Sequence, residues 1–526
     1  MTQSTHTALT NWLSQPEHYP HPCQTITRIE THISTVFLTG DYAYKLKKPV
    51  NFGFLDFSDL AARKTYCEME MMLNRRTAPN LYLDLITLYQ NTSGDQFSFQ
   101  PLAGLQIADY LIKMRQFDPD KVLSRYLHHH PLSREQTELL ARAIADFHRQ
   151  AEQVDAQAYW GSAPCVLEPM SDNFPTLLNL AEKLQRTDLS QRLKQLAHWT
   201  QHQHTLLAPL IEQRKQQGFV RACHGDLHLD NIALIDERPT LFDGIEFNEQ
   251  FRWIDTLSDL AFLLIDLDAG HQHTLAADLL NRYLRLNGDY AGLLLLRFYQ
   301  TYRALVRAKI SGLRYQQLQT DAAQPYLDDL INYISLAESY AYPQHTPPTL
   351  YVMQGISGSG KSTLADQLHQ QTGALIISSD LERKRLFGIA PTQRVNAQQR
   401  AKLYSGAMNQ ATYQTLYQAC QSALQAGLSV IADATFLQAK HRQRFIELAH
   451  TLSCRYLTLS IQPDPHLAEA WITQRQQHNQ DPSDADSRIM RSQLAYFEAP
   501  TEQEPHLKLK MGEPLMQIST FWNDAC

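Results

Sequence analysis

The sequence predicts two folded parts: a two-lobed α+β part, followed by an α/β part built on a parallel sheet. Three observations predict this. Residues 25–118 read mostly as short strands around one helix, and residues 119–343 mostly as helix. Pro343, Pro347 and Pro348 then interrupt the chain, and prolines so placed break helices and mark linkers. After them strands and helices alternate, the pattern of a parallel sheet with crossover helices. The parts are therefore expected at 1–343, with a small lobe at about 25–118 and a helical large lobe at about 119–343, and at 349–526.

Each element follows from its local pattern. ITRIETHISTVFLTG and YAYKLKK read as strands joined by a turn at Gly40–Asp41. LAARKTYCEMEMMLNRR, over 60–76, has helical spacing. Residues 82–116 return to strand, broken by the polar loop 91–95. Residues 134–215 are mostly helical. Strands reappear at HGDLHLDNIALI and PTLFDGIEF, and helix dominates from Asp255 to about Ser339. Beyond the prolines come LYVMQ, a helix from Lys361, ALIIS, one long helix near 395–426, LSVIAD, a helix at 437–450, YLTLSI and a helix at 465–476.

Composition narrows the class without naming a chemistry. The 526 residues are 43% hydrophobic and 19% charged, which excludes collagen-like, coiled-coil and wholly disordered chains. Lys and Arg number 47 against 54 Asp and Glu, a formal net charge of -7. That balance argues against general nucleic-acid binding, which needs clustered cations. No apolar run reaches the ~18 residues of a membrane helix. No Lys or Arg precedes Arg28, so a secretory leader is not expected. Seven scattered cysteines without a C-x-x-C pair point to reduced thiols in the cytoplasm. Nothing here speaks to oligomeric state.

The most specific motif is G-I-S-G-S-G-K-S-T at 355–363, between a strand and a helix. It fits G-x-x-x-x-G-K-[S/T], a loop whose backbone N–H groups cradle phosphates. Gly355, Ser357, Gly358, Ser359 and Gly360 form the cradle, at a helix N-terminus that favours anions. Lys361 neutralises the β- and γ-phosphates, Ser362 holds Mg2+, and Thr363 completes the loop. Asp433, closing LSVIAD, stands where a second Mg2+ carboxylate is expected. Asp380, after the second strand, is the candidate base for an acceptor hydroxyl, and Arg383 the candidate substrate clamp. Arg475 is the candidate lid arginine. Structural alternatives exist for these last four: helix caps for the two aspartates, a solvated basic run for Arg383, and a favourable helix-end charge for Arg475.

A second constellation lies upstream. His224-Gly225-Asp226-Leu227-His228-Leu229-Asp230-Asn231 is followed by Leu241-Phe242-Asp243. Phosphoryl transfer needs a carboxylate for the acceptor proton, an amide oxygen for metal five residues on, and a second carboxylate after a nearby strand. Asp226, Asn231 and Asp243 supply these in order. Lys45 is the candidate for the donor's α- and β-phosphates, with Lys47 on the same strand face. Glu70 is the candidate partner of that lysine, Glu68 the alternative.

The C-terminal part, over 349–500, resembles the P-loop kinase group that includes polynucleotide and gluconate kinases. The N-terminal part, through HGDLHLDN, LFDGIEF and SDLAF, resembles the aminoglycoside phosphotransferase and choline kinase-like branch of the protein-kinase fold. The whole chain resembles the bacterial two-domain proteins that join these two. The resemblance implies phosphoryl transfer from ATP or GTP without identifying the acceptor; the site residues point to Mg2+ as cofactor and to a small hydroxylated acceptor. The resemblance also makes Asp259 a buttress of the catalytic loop. Departures are the missing G-x-G-x-x-G before Lys45 and the spacing from Asp243 to Glu246, longer than the family's D-x-E. The leading expectation is thus a phosphotransferase with two nucleotide-binding modules. Two alternatives stand beside it: one nucleotide site as a switch for the other domain, or a C-terminal polynucleotide 5′-hydroxyl kinase.

Overall fold

The computed structural model describes residues 3–51, 55–318, 321–344, 346–391, 393–478 and 485–515. Its elements group into two compact units. One comprises residues up to Asp266 with Tyr302–Tyr333; the other comprises Leu267–Thr301 with residues from Ile334 onward. The proline cluster therefore lies inside the second unit.

In the first unit six strands form one antiparallel sheet. They are β1 (Thr27–Glu30), β2 (Ser34–Leu38), β3 (Tyr42–Lys47), β4 (Tyr82–Gln90), β5 (Phe97–Ser98) and β6 (Gln106–Arg115), in the order β1-β2-β3-β6-β4-β5. Strand alternation splits β3 between two environments. Tyr44 and Leu46 join a core with Phe37, Leu88 and Leu111, on which the helix Gln3–Leu13 packs Leu9 and Leu13. Ala43, Lys45 and Lys47 point the other way, toward the helix Leu60–Asn74.

That helix starts at Asp59, whose carboxylate accepts the Ala62 N–H at 2.8 Å. Its buried face recurs at helical spacing as Arg63, Cys67, Glu70, Met71 and Asn74. Three of these are polar, and each has a distant partner. Arg63 donates from Nε to both Asp109 oxygens on β6, at 2.9 and 3.1 Å. Glu70 meets the lysines of β3, and Asn74 reaches Gly244.

Beyond this sheet the first unit is helical, with two short antiparallel pairings that flank the motif residues. β7 (Val220–Ala222) pairs antiparallel with β10 (Trp253–Asp255), and β8 (Ile232–Ile235) with β9 (Arg238–Leu241). The β8–β9 turn uses Asp236 and Glu237, both with positive φ, the geometry of a two-residue hairpin that keeps the strand twist.

In the second unit β11 (Thr349–Gln354), β12 (Leu375–Ser378), β13 (Val430–Asp433), β14 (Arg455–Ile461) and β15 (His506–Leu509) form a fully parallel sheet ordered β12-β13-β11-β14-β15. β11 is buried along its whole length, as the centre of such a sheet must be. The edge at β12 is closed by a helix, His273–Asn287: Ile376 N–H donates to Asn281 Oδ1 at 2.9 Å. The single helix expected near 395–426 is two helices, Ala397–Leu403 and Gly406–Gln425. Ser405 accepts the Met408 N–H and starts the second, so a cap interrupts a pattern that otherwise reads as continuous. Among the described residues no helix is long and apolar enough to cross a membrane.

Candidate active sites

In the first unit, antiparallel pairing sets Ile232 opposite Leu241, so Asn231 and Phe242 leave the same end of the hairpin. Phe242 N–H donates to Asn231 O at 3.0 Å and fixes the two loops together. Asn231 Nδ2 donates to Asp226 O at 2.9 Å and to Asp226 Oδ2 at 3.1 Å, which presents its Oδ1 away from Asp226. His228 completes the loop. Its Nδ1 and the Asp230 backbone nitrogen are 3.2 Å apart, and its Nε2 stands 3.3 Å from Asp226 Oδ2. Burial alone would raise the Asp226 pKa; the charge and N–H of His228 instead hold it well below the usual carboxylate range. His228 is in turn raised, Asp226 outweighing the effect of burial.

Asp259 holds this loop from below. Fully buried, it accepts the His224 N–H at 3.0 Å, the Gly225 N–H at 2.9 Å and an approach from His148 Nε2 at 3.1 Å. Arg303 donates to Gly225 O at 3.2 Å and Ser258 O at 3.1 Å. His224 bonds Phe242 O through Nε2 at 2.9 Å, so both histidines of the motif are loop braces.

Asp243 adopts a left-handed backbone, φ 61. Two side chains from elsewhere hold it there: Tyr82 Oη accepts the Asp243 N–H at 3.1 Å and Asn74 Oδ1 accepts the Gly244 N–H at 2.8 Å. Its carboxylate, 43% exposed, meets Lys45 Nζ at 2.5 Å. Lys45 also contacts Glu70 Oε1 at 2.8 Å. Both lysines reach Glu70, since Lys47 takes its other oxygen at 2.6 Å. Glu68 is exposed and pairs with Lys64 at 3.5 Å. Glu246 is buried against Lys47, 2.5 Å away.

In the second unit the phosphate loop joins β11 to the helix Lys361–Thr372. Gly358 has φ +79, and a Cβ there would lie 2.8 Å from Ala468 O, so both backbone shape and space require glycine. Because β11 and β13 are parallel neighbours with Met353 opposite Asp433, Asp433 emerges beside the loop. Ser362 Oγ donates to Asp433 Oδ2 at 2.9 Å, while Lys361 Nζ reaches Ile356 O at 2.7 Å. Burial pushes the Asp433 pKa up, against the opposing charge of Lys361.

A cavity of about 730 Å³ gathers residues 357–363 with Asp380, Arg383, Asp433, Tyr413 and His441. Arg383 is buried. It donates to Asn409 Oδ1, lies 4.8 Å from the Tyr404 ring, and its Nε is 3.8 Å from Asp380 Oδ1. Gln493 Oε1 accepts the Ser357 N–H at 2.7 Å. Arg475 belongs to the helix Pro465–His478, but its side chain lies outside the described residues.

The residues that sequence reasoning missed are the braces: Asn74, Tyr82, His148, Arg303 and Gln493. No local motif marks them, because each acts on a loop far away in the chain. Both sites offer hard oxygen donors of the kind Mg2+ takes: Asn231 and Asp243 in one unit, Ser362 and Asp433 in the other.

The domains of this chain define an enzyme of the kinase type, a phosphotransferase. Residues 100–296 match the phosphotransferase enzyme family and residues 350–500 the AAA domain. Uncharacterized proteins of Mycobacterium tuberculosis and Mycobacterium bovis are 31% identical over 412 residues, covering 77% of this chain and 78% of theirs. The chain belongs to their family, the bacterial two-domain proteins joining an aminoglycoside phosphotransferase-like domain to a P-loop kinase-like domain. Among solved structures it is similar to a choline/ethanolamine kinase family protein from Mesorhizobium loti, 12% identical with a TM-score of 0.37, covering 65% of this chain and 96% of that one. It is also similar to a gluconokinase from Sinorhizobium meliloti, 18% identical with a TM-score of 0.22, covering 32% and 86%. Domains of the kinase type imply ATP as the phosphate donor.

Proposed function

We propose that both units transfer phosphate from a nucleoside triphosphate to a hydroxyl of a small acceptor. One observation, made twice, carries this reading: each unit gathers a lysine, hard oxygen donors and a further carboxylate at one loop cluster. In the first unit Asp226 accepts the proton of the acceptor hydroxyl, with His228 and Asn231 fixing its orientation. Lys45 leaves Asp243 and binds the donor's phosphates. In the second unit backbone N–H groups of the loop after Ser357 and Lys361 hold the phosphates, Arg383 clamps the acceptor, and Asp380 takes its proton. Arg475 is assigned to the lid. Mg2+, held by Asn231 and Asp243 or by Ser362 and Asp433, would screen the phosphate charge. Positioning and charge neutralisation supply most of the rate, since phosphoryl transfer asks for little covalent help.

The test is a transfer screen with ATP and GTP against hydroxylated metabolites and a 5′-hydroxyl oligonucleotide. Wild type is run beside Asp226→Ala and Lys361→Ala. Two separate activities, each abolished by one substitution, support the proposal; an Asp226→Ala protein that retains every transfer sinks it for the first unit. A switch role for the P-loop is the second reading. It is favoured by the helix His273–Asn287, which lies within residues matching the phosphotransferase family yet joins the compact unit of the P-loop sheet. On that reading Lys361→Ala alters the first unit's transfer without removing an activity of its own.

A further inference from the structure

Lys45 and Lys47 leave β3 on the same face, two residues apart, and both are buried. Their surroundings differ. Lys45 faces a partner that is 43% exposed, Asp243. Lys47 is 1% exposed and lies 4.7 Å from the centre of the Phe57 ring, and among the described residues its ion pairs are with the buried carboxylates Glu70 and Glu246. Glu70, with no exposure at all, is divided between the two ammoniums, Oε1 to Lys45 and Oε2 to Lys47. The chain of contacts runs Asp243–Lys45–Glu70–Lys47–Glu246, with three carboxylates for two ammoniums.

A kinase-type site must release Lys45 toward phosphates. With a single lysine, that movement would pull Glu70 with it or strand its charge in the interior, and a buried charge left unpaired is strongly unfavourable. We infer that Lys47 and Glu246 are a positioning pair: Lys47 keeps Glu70 fixed and neutralised while Lys45 exchanges Asp243 for the nucleotide. Glu246 is then the counter-ion of Lys47 and not a metal ligand. This accounts for its place three residues after Asp243, where the family pattern has two. It also ties the segment that follows Asp243 to β3. The inference rests on the reading of the first unit as a nucleotide site.

The experiment uses the full chain in a Lys361→Ala background, so that calorimetry with ATP reports on the first unit. Lys47→Met/Glu246→Gln removes both charges together and leaves neither partner stranded. Its thermal unfolding is expected close to that of the Lys361→Ala parent. ATP affinity is expected to fall by about tenfold, by the same factor with and without Mg2+, because Glu70 is no longer held. Parent affinity in the folded double variant would overturn the inference. A loss seen only with Mg2+ would overturn it too, by making Glu246 a metal ligand. Should the double variant not fold, Glu246→Gln alone is read the same way, with about a threefold loss expected and unchanged affinity overturning the pair. A parent that binds no ATP would overturn the nucleotide-site reading itself, and the pair's role with it.

Discussion

Ser362 Oγ donates to Asp433 Oδ2 at 2.9 Å, across 71 residues of sequence. This bond joins the helix after the phosphate loop to the end of the neighbouring strand, where a cation shared by the two oxygens would meet the phosphates. Asp433→Asn keeps a hydrogen-bond acceptor for Ser362 and removes the charge. In a Lys45→Met background, Mg-ATP binding at the P-loop is expected to weaken by about 10–100-fold with the unfolding midpoint little changed. Calorimetric titration with and without Mg2+ checks it; equal affinities in the two proteins would remove Asp433 from the metal role.

Asp226→Asn leaves the hydrogen bonds of the loop largely possible and removes the carboxylate proposed as proton acceptor. The first unit's transfer is expected to drop by about 10²–10⁴-fold, mainly in kcat. Initial rates on the acceptor found by the screen measure this. A variant within twofold of wild type would exclude Asp226 as the base.

Asp259→Ala deprives two backbone N–H groups and His148 of their acceptor in a buried site. Its cost is expected at about 3–5 kcal/mol, the range for breaking a buried network by removing one partner. Denaturant unfolding of the variant against wild type gives the value. A loss below about 1 kcal/mol would mean that the loop finds another support.

Glycines at 358 and 388 offer a matched comparison. Both have positive φ, +79 and +75, but only the first has no room for a Cβ; nothing lies within 4 Å of one placed at 388. Gly388→Ala is expected to cost about 1–2 kcal/mol from backbone strain alone, with nucleotide binding intact. Gly358→Ala is expected to lose P-loop nucleotide binding as well, because Ala468 O or the loop must move. Binding by both variants at wild-type affinity would contradict the steric account.

Acid stability has a defined contributor in Arg442 and Glu504. Arg442, fully buried, donates to both Glu504 oxygens, at 2.7 and 3.1 Å. Burial alone would raise the Glu504 pKa; the hydrogen bond and charge of Arg442 bring it below the ordinary value. The folded pKa is therefore the lower one. The stabilisation is fully present above the unfolded value of about 4.3 and is lost as pH falls through the folded value. Glu504→Gln is expected to lower stability by about 3 kcal/mol near neutrality and by less in acid. Unfolding followed across that pH range checks the sign; a gap that widens in acid would reverse it.

What could be read from the sequence was whatever a contiguous stretch encodes. The phosphate loop is written in nine consecutive residues because its function is carried by backbone shape. Asp226, Asn231 and Asp243 are separated by spacings that a loop and one hairpin impose. The braces are of another kind. His148 and Asp259 lie 111 residues apart, Asn74 and Gly244 170 apart. Each of these side chains has an ordinary surface or cap role in most sequences, and only the fold supplies its partner. The choice between Glu68 and Glu70 was open for the same reason: two residues differ by about 200° around a helix, but which face turns to the sheet depends on packing along the whole stripe from Arg63 to Asn74. At Ser405 the signal was present locally, a cap residue, and an apolar pattern running through it concealed the break.

The Asn281 amide that receives the Ile376 N–H occupies the position where a further strand would otherwise add to β12. An uncovered strand edge is a template for pairing with other chains. The compact unit that holds the parallel sheet therefore includes residues from before the prolines. A fragment cut at the linker would carry an unguarded edge, and a recombination event that exchanged the P-loop cassette would have to bring the segment around Asn281 with it or evolve a new shield.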